Sequence, residues 1–338
     1  MTDAVAPPLQ LMWLLSGFAP SRAIAVVAEL GVADELAEGP RSTEELAENL
    51  HVRAEALYRL LRALSSLGVF EERDGRVFAL TPLGALLRSG HEDSLRAYAR
   101  FASHESLWAA WLRLPAVLET GEPSFEAANG ADFWGFTKAS PAFGRNFDAS
   151  MAQFSKAEIR AVCSSFDFGN FPSVCDVGGG RGQLLQQILV RWPSLRGALF
   201  ELPDVAVQAQ EQLEQAGLTN RSEVIAGSFF EPLPRGFDLY VMKHVLHDWS
   251  DAQARHILSR CREAIAETGT LLLLEGLVEG KNVSDPLKWM DLHMMVSFGG
   301  LERTRAQWEA LLGSVGLQLV RVTRTPSLVH ALEVRSDD

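Results

Sequence analysis

The sequence predicts an α/β protein in which a doubly wound sheet of seven strands follows a mainly helical, winged-helix-like start. Three observations predict it. From Ser173 onward, short apolar runs alternate with helical stretches, the pattern of a parallel sheet flanked by helices. A glycine-rich loop follows the first of those runs and opens a helix. Upstream, a helix, a turn, a second helix and a hairpin follow one another.

In the start region, Leu61, Leu64 and Leu67, then Leu83, Leu86 and Leu87, fall at helical spacings. Ser42 with Glu45 reads as a capping box, a turn follows near His51, and the spacing predicts a helix over 54–67 that ends at Gly68. In the run Val69 to Leu80, Asp74-Gly75 reads as a hairpin turn between two short strands. Winged helices often bind DNA, but residues 1–105 carry ten Arg and no Lys against fifteen Asp and Glu, and the wing holds Glu71, Glu72 and Asp74. Phosphate binding relies on Lys and Arg, so this element is read as structural or dimer-forming, not as a nucleic-acid reader.

The whole chain of 338 residues is acidic, at a formal charge of −12, which points the same way. Its length leads us to expect two or more structural units. Cys163, Cys175 and Cys261 are odd in number and lack CxxC or Cys/His spacing, so no disulfide framework or zinc site is expected. Met1 to Pro8 does not read as a signal peptide, and the apolar runs 23–28 and 107–112 are far shorter than the roughly 20 residues of a membrane span. A cytoplasmic location and no membrane partner are the expectations.

The predicted strands are 174–177, 198–200, 223–226, 239–242, 271–274, 317–322 and 328–334. Ligands of such sheets sit beyond the carboxyl ends of the strands. The loop after the first strand reads Asp176-Val177-Gly178-Gly179-Gly180-Arg181-Gly182 and opens a helix with Leu184, Leu185, Ile188 and Leu189. The dinucleotide fingerprint fails in it, because counting Gly178 as first puts Gln183 where Gly or Ala is required. A carboxylate at Asp176 would repel a pyrophosphate but suits a ligand with an amino group and a sulfonium, such as S-adenosylmethionine. Glu201 ends the second strand, at the place where these folds hold ribose hydroxyls.

Five segments together resemble the plant-type small-molecule O-methyltransferases and their bacterial natural-product branch. They are 176–182, Leu199-Phe200-Glu201-Leu202-Pro203, Gly227-Ser228-Phe229-Phe230, Lys243-His244-Val245-Leu246-His247-Asp248-Trp249-Ser250-Asp251, and Gly299-Gly300-Leu301-Glu302-Arg303-Thr304. The resemblance implies a Rossmann-like methyltransferase sheet, S-adenosyl-L-methionine as cofactor, and a homodimer formed through the winged-helix start. It divides the chain into a dimerisation domain (1–105), a helical linker and acceptor-pocket region (106–160) and a cofactor-binding catalytic domain (161–338). It also implies that His247 is the general base for the acceptor hydroxyl, held and polarised by Glu275 and Glu302. An imidazole titrates near neutrality, whereas a phenol near pKa 10 needs help to lose its proton.

Asp176, Gly178, Gly180, Glu201, Leu202, Ser228, Phe229, Lys243 and Trp249 match cofactor-binding positions of the family. Glu201 stands where many plant members have Asp, and Ser228 where they have an Asp for the adenine amino group. Phe143, Phe147 and Met151, with Met290, His293 and Met294, are the expected acceptor pocket, since Met and aromatic side chains suit a flat apolar guest. The expected reaction is in-line methyl transfer to a hydroxyl of a small aromatic or polyketide-type secondary metabolite, and it demands no metal. A member repurposed to hydroxylation or a pericyclic step, N-methyl transfer, and a DNA-binding regulator are the alternatives.

Overall fold

The computed structural model describes residues 6–337, and the chain divides into two compact units. The first comprises Met1–Ala109 and Ala128–Gln153, the second Ala110–Ala127 and Phe154–Asp338. The segment 106–160 is thereby shared between the two units. It is mainly helical, and its longest element is the helix Pro141–Ser165.

In the first unit, strands β1 (Arg41–Ser42), β2 (Phe70–Arg73) and β3 (Val77–Leu80) form an antiparallel sheet in the order β1-β3-β2. The capping box forms as expected: Ser42 Oγ accepts from the Glu45 amide at 3.2 Å, and Glu45 Oε2 accepts from the Ser42 amide at 2.8 Å. The helix Ala54–Ser65 buries Leu57, Leu61 and Leu64 against Val27, Leu46, Phe70 and Phe78. It stops at Ser65, two residues short of the predicted end, and Leu67 and Leu83 of the leucine pattern are exposed.

The hairpin differs in detail from the expected Asp-Gly turn. Arg73 pairs with Val77, so three residues connect the strands, with Gly75 and Arg76 both at positive φ (76° and 59°). Arg76 holds this conformation with a guanidinium stacked 4.3 Å over the Tyr58 ring and paired to Glu55 at 2.9 Å.

The second unit contains β4 (Ser173–Val177), β5 (Arg196–Glu201), β6 (Ser222–Ala226), β7 (Leu239–Lys243), β8 (Thr270–Gly276), β9 (Leu317–Thr323) and β10 (Val329–Ser336). They form one sheet in the order β6-β5-β4-β7-β8-β10-β9. All seven predicted strands are present, and alternate residues feed two cores. Cys175, Val177, Tyr240, Met242, Leu271 and Leu273 pack with Ile257, Leu258 and Trp308. Val174, Leu239, Val241, Leu272 and Leu274 pack with Leu185, Ile188 and Leu213. That division by parity is why these strands read as unbroken apolar runs. β10 runs antiparallel to both β8 and β9, a departure from a fully parallel sheet. The 324–328 connection is too short for a crossover to a parallel strand, which takes a dozen residues or more.

Strand order reverses beside β4, whose neighbours are β5 and β7, so the carboxyl ends of these three strands and β8 border the ligand crevice of such a sheet. The three cysteines are free and buried in the two cores. Among the described residues no single helix is long and apolar enough to cross a membrane, although the pair Pro7–Leu15 and Phe18–Leu30, bent by 44°, reaches that length together.

Gly84 provides a test of the wing. A Cβ there would lie 2.1 Å from the Val69 carbonyl oxygen, a backbone atom that cannot rotate away. Gly84→Ala is expected to destabilise the protein by about 1–3 kcal/mol, the usual cost of overpacking. The urea midpoint should fall accordingly, and an unchanged midpoint would refute the close approach.

Candidate active site

The glycine loop joins β4 to the helix Gln183–Arg191, with Gly178, Gly180 and Gly182 at φ of 70°, 59° and 78°. Gly179 is constrained by space instead, because a Cβ there would fall 2.4 Å from Asp176 Oδ2. Asp176 therefore lies under the loop. It is fully buried and neither carboxylate oxygen has a hydrogen-bond partner. Burial, and then the nearby charge of Glu201, push its pKa up to about 7 against the pull of Lys243.

Glu201, at the end of β5, ties the loop to its own strand. Its Oε2 accepts the Gly180 amide at 2.9 Å and its Oε1 the Leu202 amide at 2.7 Å. Leu202 is half exposed beside it. Phe229 lies against the loop, since a Cβ on Gly178 would meet its ring at 3.4 Å. Phe229, Phe230 and Trp249 pack ring to ring at 5.0–6.1 Å. Ser228 Oγ accepts from the Phe230 amide at 3.3 Å.

Beyond β7 the chain makes a short turn that carries His247. Its Nδ1 lies 2.7 Å from Glu302 Oε1, and both side chains are largely buried. Glu275, from β8, reaches the same turn by another route: its Oε1 accepts the amides of Val245 and Leu246 at 3.1 and 2.9 Å. Of the two predicted partners, Glu302 thus bonds the imidazole and Glu275 bonds the backbone that carries it. From the other side, buried Arg303 donates to the carbonyls of Leu246 and Trp249 and to Asp251. Glu302 is itself held by its amide, which donates to Asp291 Oδ1 at 2.9 Å.

The electrostatics follow from burial. Loss of water alone would lower the His247 pKa, but the Glu302 hydrogen bond and the charges of Glu275, Asp248 and Glu302 outweigh it and raise the value to about 10. Burial raises the carboxyls of Glu275 and Asp248, against the pull of His247.

Two residues that sequence reasoning did not single out complete this edge. Glu158, on the helix Pro141–Ser165, accepts from Lys243 Nζ at 2.7 Å and lies 3.0 Å from His244 Nε2. Burial opposes its charge, but His244 and Lys243 hold its pKa down at about 2. Lys243, expected near the adenosine, thus commits its ammonium to Glu158. His244 has φ of 52°, and its ring centre lies 4.9 Å from that of His247. The position of His244 beside the His247 motif is a signal; nothing local marks Glu158.

The expected acceptor-pocket residues fall in both units. In the first, Phe143 is fully buried among Phe101, Phe133, Phe136 and His104, Phe147 packs on Phe101 and Phe133, and Met151 is exposed. In the second, Met290, His293 and Met294 lie on the helix Pro286–Ser297, with Met294 buried. Trp111, also missed from sequence, donates its indole N–H to His293 Nδ1 at 3.2 Å. An indole nitrogen only donates, so His293 carries its proton on Nε2, and burial lowers its pKa.

Known families account for both parts of the chain. The model of an O-methyltransferase domain matches residues 111–318, and that of an O-methyltransferase dimerisation domain matches residues 12–90. A phenazine O-methyltransferase of Lysobacter antibioticus is 38% identical over 337 residues, covering 98% of each chain. An aclacinomycin 10-hydroxylase of Streptomyces purpurascens is 37% identical, over 88% of this chain and 81% of its own. Among solved structures, an O-methyltransferase of neocarzinostatin biosynthesis, in complex with S-adenosylmethionine and 2-hydroxy-5-methyl naphthoic acid, superposes with a TM-score of 0.78. It is 32% identical and covers 94% of this chain and 96% of its own. The chain therefore belongs to the S-adenosylmethionine-dependent O-methyltransferase family of secondary metabolism, with that family's dimerisation and catalytic domains.

Proposed function

We propose that the protein transfers a methyl group from S-adenosylmethionine to a hydroxyl of a small aromatic or polyketide-type metabolite, with His247 as general base. The observation that carries this reading is the buried His247–Glu302 pair at the carboxyl edge of the sheet, one strand from the glycine loop. A hydroxylase exists among the relatives. The intact pair favours methyl transfer, which needs a base for the acceptor proton.

The residues of the crevice fit the cofactor. Asp176 is a buried carboxylate with two unsatisfied oxygens, a cost that an amino or sulfonium cation nearby would offset. Glu201 keeps lone pairs for ribose hydroxyls while holding two amides, and Phe229 and Trp249 supply aromatic faces for adenine. The cofactor supplies an electrophilic methyl group on its sulfonium. Everything else is positioning and proton transfer.

His247 Nδ1 is engaged by Glu302, which leaves Nε2 to take the acceptor proton. The surrounding carboxylates stabilise the imidazolium that results, which raises the basicity of His247. Of the acceptor-pocket residues in this unit, Met290 and Met294 offer apolar contact and His293 offers its Nε2–H as a donor. In the first unit, the helix Pro7–Leu15 leaves Leu11, Trp13, Leu14 and Leu15 exposed, and a second copy of the chain is the partner that we read for it.

Three outcomes are expected. His247→Ala should slow methylation of a phenolic acceptor by about 10²–10⁴-fold with cofactor binding nearly intact. Glu302→Gln should slow it less. It should also move the rise of kcat/KM with pH to lower pH, because loss of the carboxylate lowers the imidazole pKa. A His247→Ala rate within a few-fold of wild type at about pH 10, where the wild-type imidazole is about half in its base form, would make His247 structural.

The second outcome concerns Asp176. Its folded pKa lies above the unfolded value of 3.8, so its contribution to stability is present below that value and is lost as pH rises to about 7. Asp176→Asn should abolish this loss, worth about 3 kcal/mol between pH 5 and 8, while weakening binding of S-adenosylmethionine. Urea unfolding without cofactor and calorimetric titration measure the two effects, and equal pH dependence in variant and wild type would sink the assignment.

Third, light scattering should give twice the chain mass at micromolar concentration, and Leu14→Lys with Leu15→Lys should yield monomer. A monomeric wild type would contradict the dimer.

A further inference from the structure

We propose that His244, His247 and Glu275 form a binding site for a divalent transition-metal ion of the zinc class, and that an ion bound there switches methyl transfer off. One donor atom from each of the three residues lies within 4.8 Å of the other two. Two of the donor atoms that these residues carry have no hydrogen-bond partner. Glu275 is fully buried and its Oε2 has no hydrogen-bond partner, although its Oε1 holds two amides. His244 Nδ1 is also buried and unpartnered. Buried polar atoms without partners are uncommon and cost free energy, so a site that satisfies both at once accounts for them.

The two imidazoles are held as metal-binding histidines are. A histidine that binds a metal through one nitrogen almost always gives the other N–H to a carboxylate or carbonyl, which fixes its tautomer and raises its basicity. Both histidines have this arrangement. Glu158 takes His244 Nε2 at 3.0 Å, leaving Nδ1 as the lone pair, and Glu302 takes His247 Nδ1 at 2.7 Å, leaving Nε2. Asp248 Oδ1, 3.5 Å from His247 Nε2, is a fourth donor within reach. Zinc bonds of roughly 2.0–2.2 Å place tetrahedral N and O donors about 3.4 Å apart, so side-chain rotations of about 1 Å close the set. Two imidazoles with carboxylate oxygens select zinc, copper, nickel or cobalt over magnesium and calcium, which take oxygen alone.

The block rests on the reading of His247 as the base: a metal on Nε2 occupies the lone pair that would take the acceptor proton. Metal binding itself does not rest on it. That separation sets the experiment. Chelator-treated full-length protein is titrated with Co²⁺ and then Zn²⁺, without cofactor or acceptor, and the visible bands of four-coordinate cobalt are recorded. One Co²⁺ per chain, displaced by Zn²⁺, is expected. In His244→Asn, which tolerates the left-handed backbone, the bands should vanish and the Zn²⁺ concentration that halves methyl transfer should rise at least about 10-fold.

Binding of S-adenosylhomocysteine shows that the variant is folded. Should it not fold, Glu158→Gln is read in its place, with cobalt bound about 10–100-fold more weakly. No saturable cobalt binding, or binding equal in wild type and variant, overturns the site. Cobalt binding that needs His244, with methylation indifferent to Zn²⁺, keeps the site and overturns the block, while the role of His247 as base is decided separately by the His247→Ala rate.

Discussion

The burial of ionisable groups at the carboxyl edge of one sheet is the constraint from which the rest of the catalytic unit follows. Asp176, Glu275, Glu302 and Arg303 are almost wholly removed from water, and His247 nearly so. A charge in that setting is expensive unless it is paired or hydrogen-bonded. The local architecture is the set of pairings that makes the burial tolerable. Glu302 meets the imidazole, Glu275 meets two amides of the turn, and Arg303 closes the turn from the opposite side through two carbonyls and Asp251. Neither oxygen of Asp176 has a hydrogen-bond partner, and burial raises its pKa instead.

Much of this was legible in the sequence because it is local or periodic. The seven strands show as apolar runs, since each is buried on both faces by alternate residues. The capping box and the glycine loop are written in neighbouring residues, and the family resemblance named His247, Glu275 and Glu302 together as candidates. What the sequence could not show depends on distant partners. Glu158 lies on a helix far upstream of Lys243 and His244, and Trp111 far upstream of His293. No pattern in either segment reports the other.

The smaller differences have the same origin. The wing connection contains three residues because Arg76, normally averse to positive φ, is held there by Tyr58 and Glu55. The last strand turns back because its connection is too short to do otherwise, a rule about chain length that apolar patterning does not carry. The segment 106–160, expected to be one region, is shared between the two units.

The bond from Asp291 to the Glu302 amide has a consequence for how such an enzyme can change. Met290 and His293 flank Asp291 on one helix, so the element proposed to meet the acceptor also holds the residue whose carboxylate bonds the His247 imidazole. On the proposed reading, other side chains of that helix can change to suit a different acceptor while Asp291 keeps its bond and the His247–Glu302 pair stays in place. On that reading, a substitution that slides or tilts the helix is expected to alter preference and turnover together.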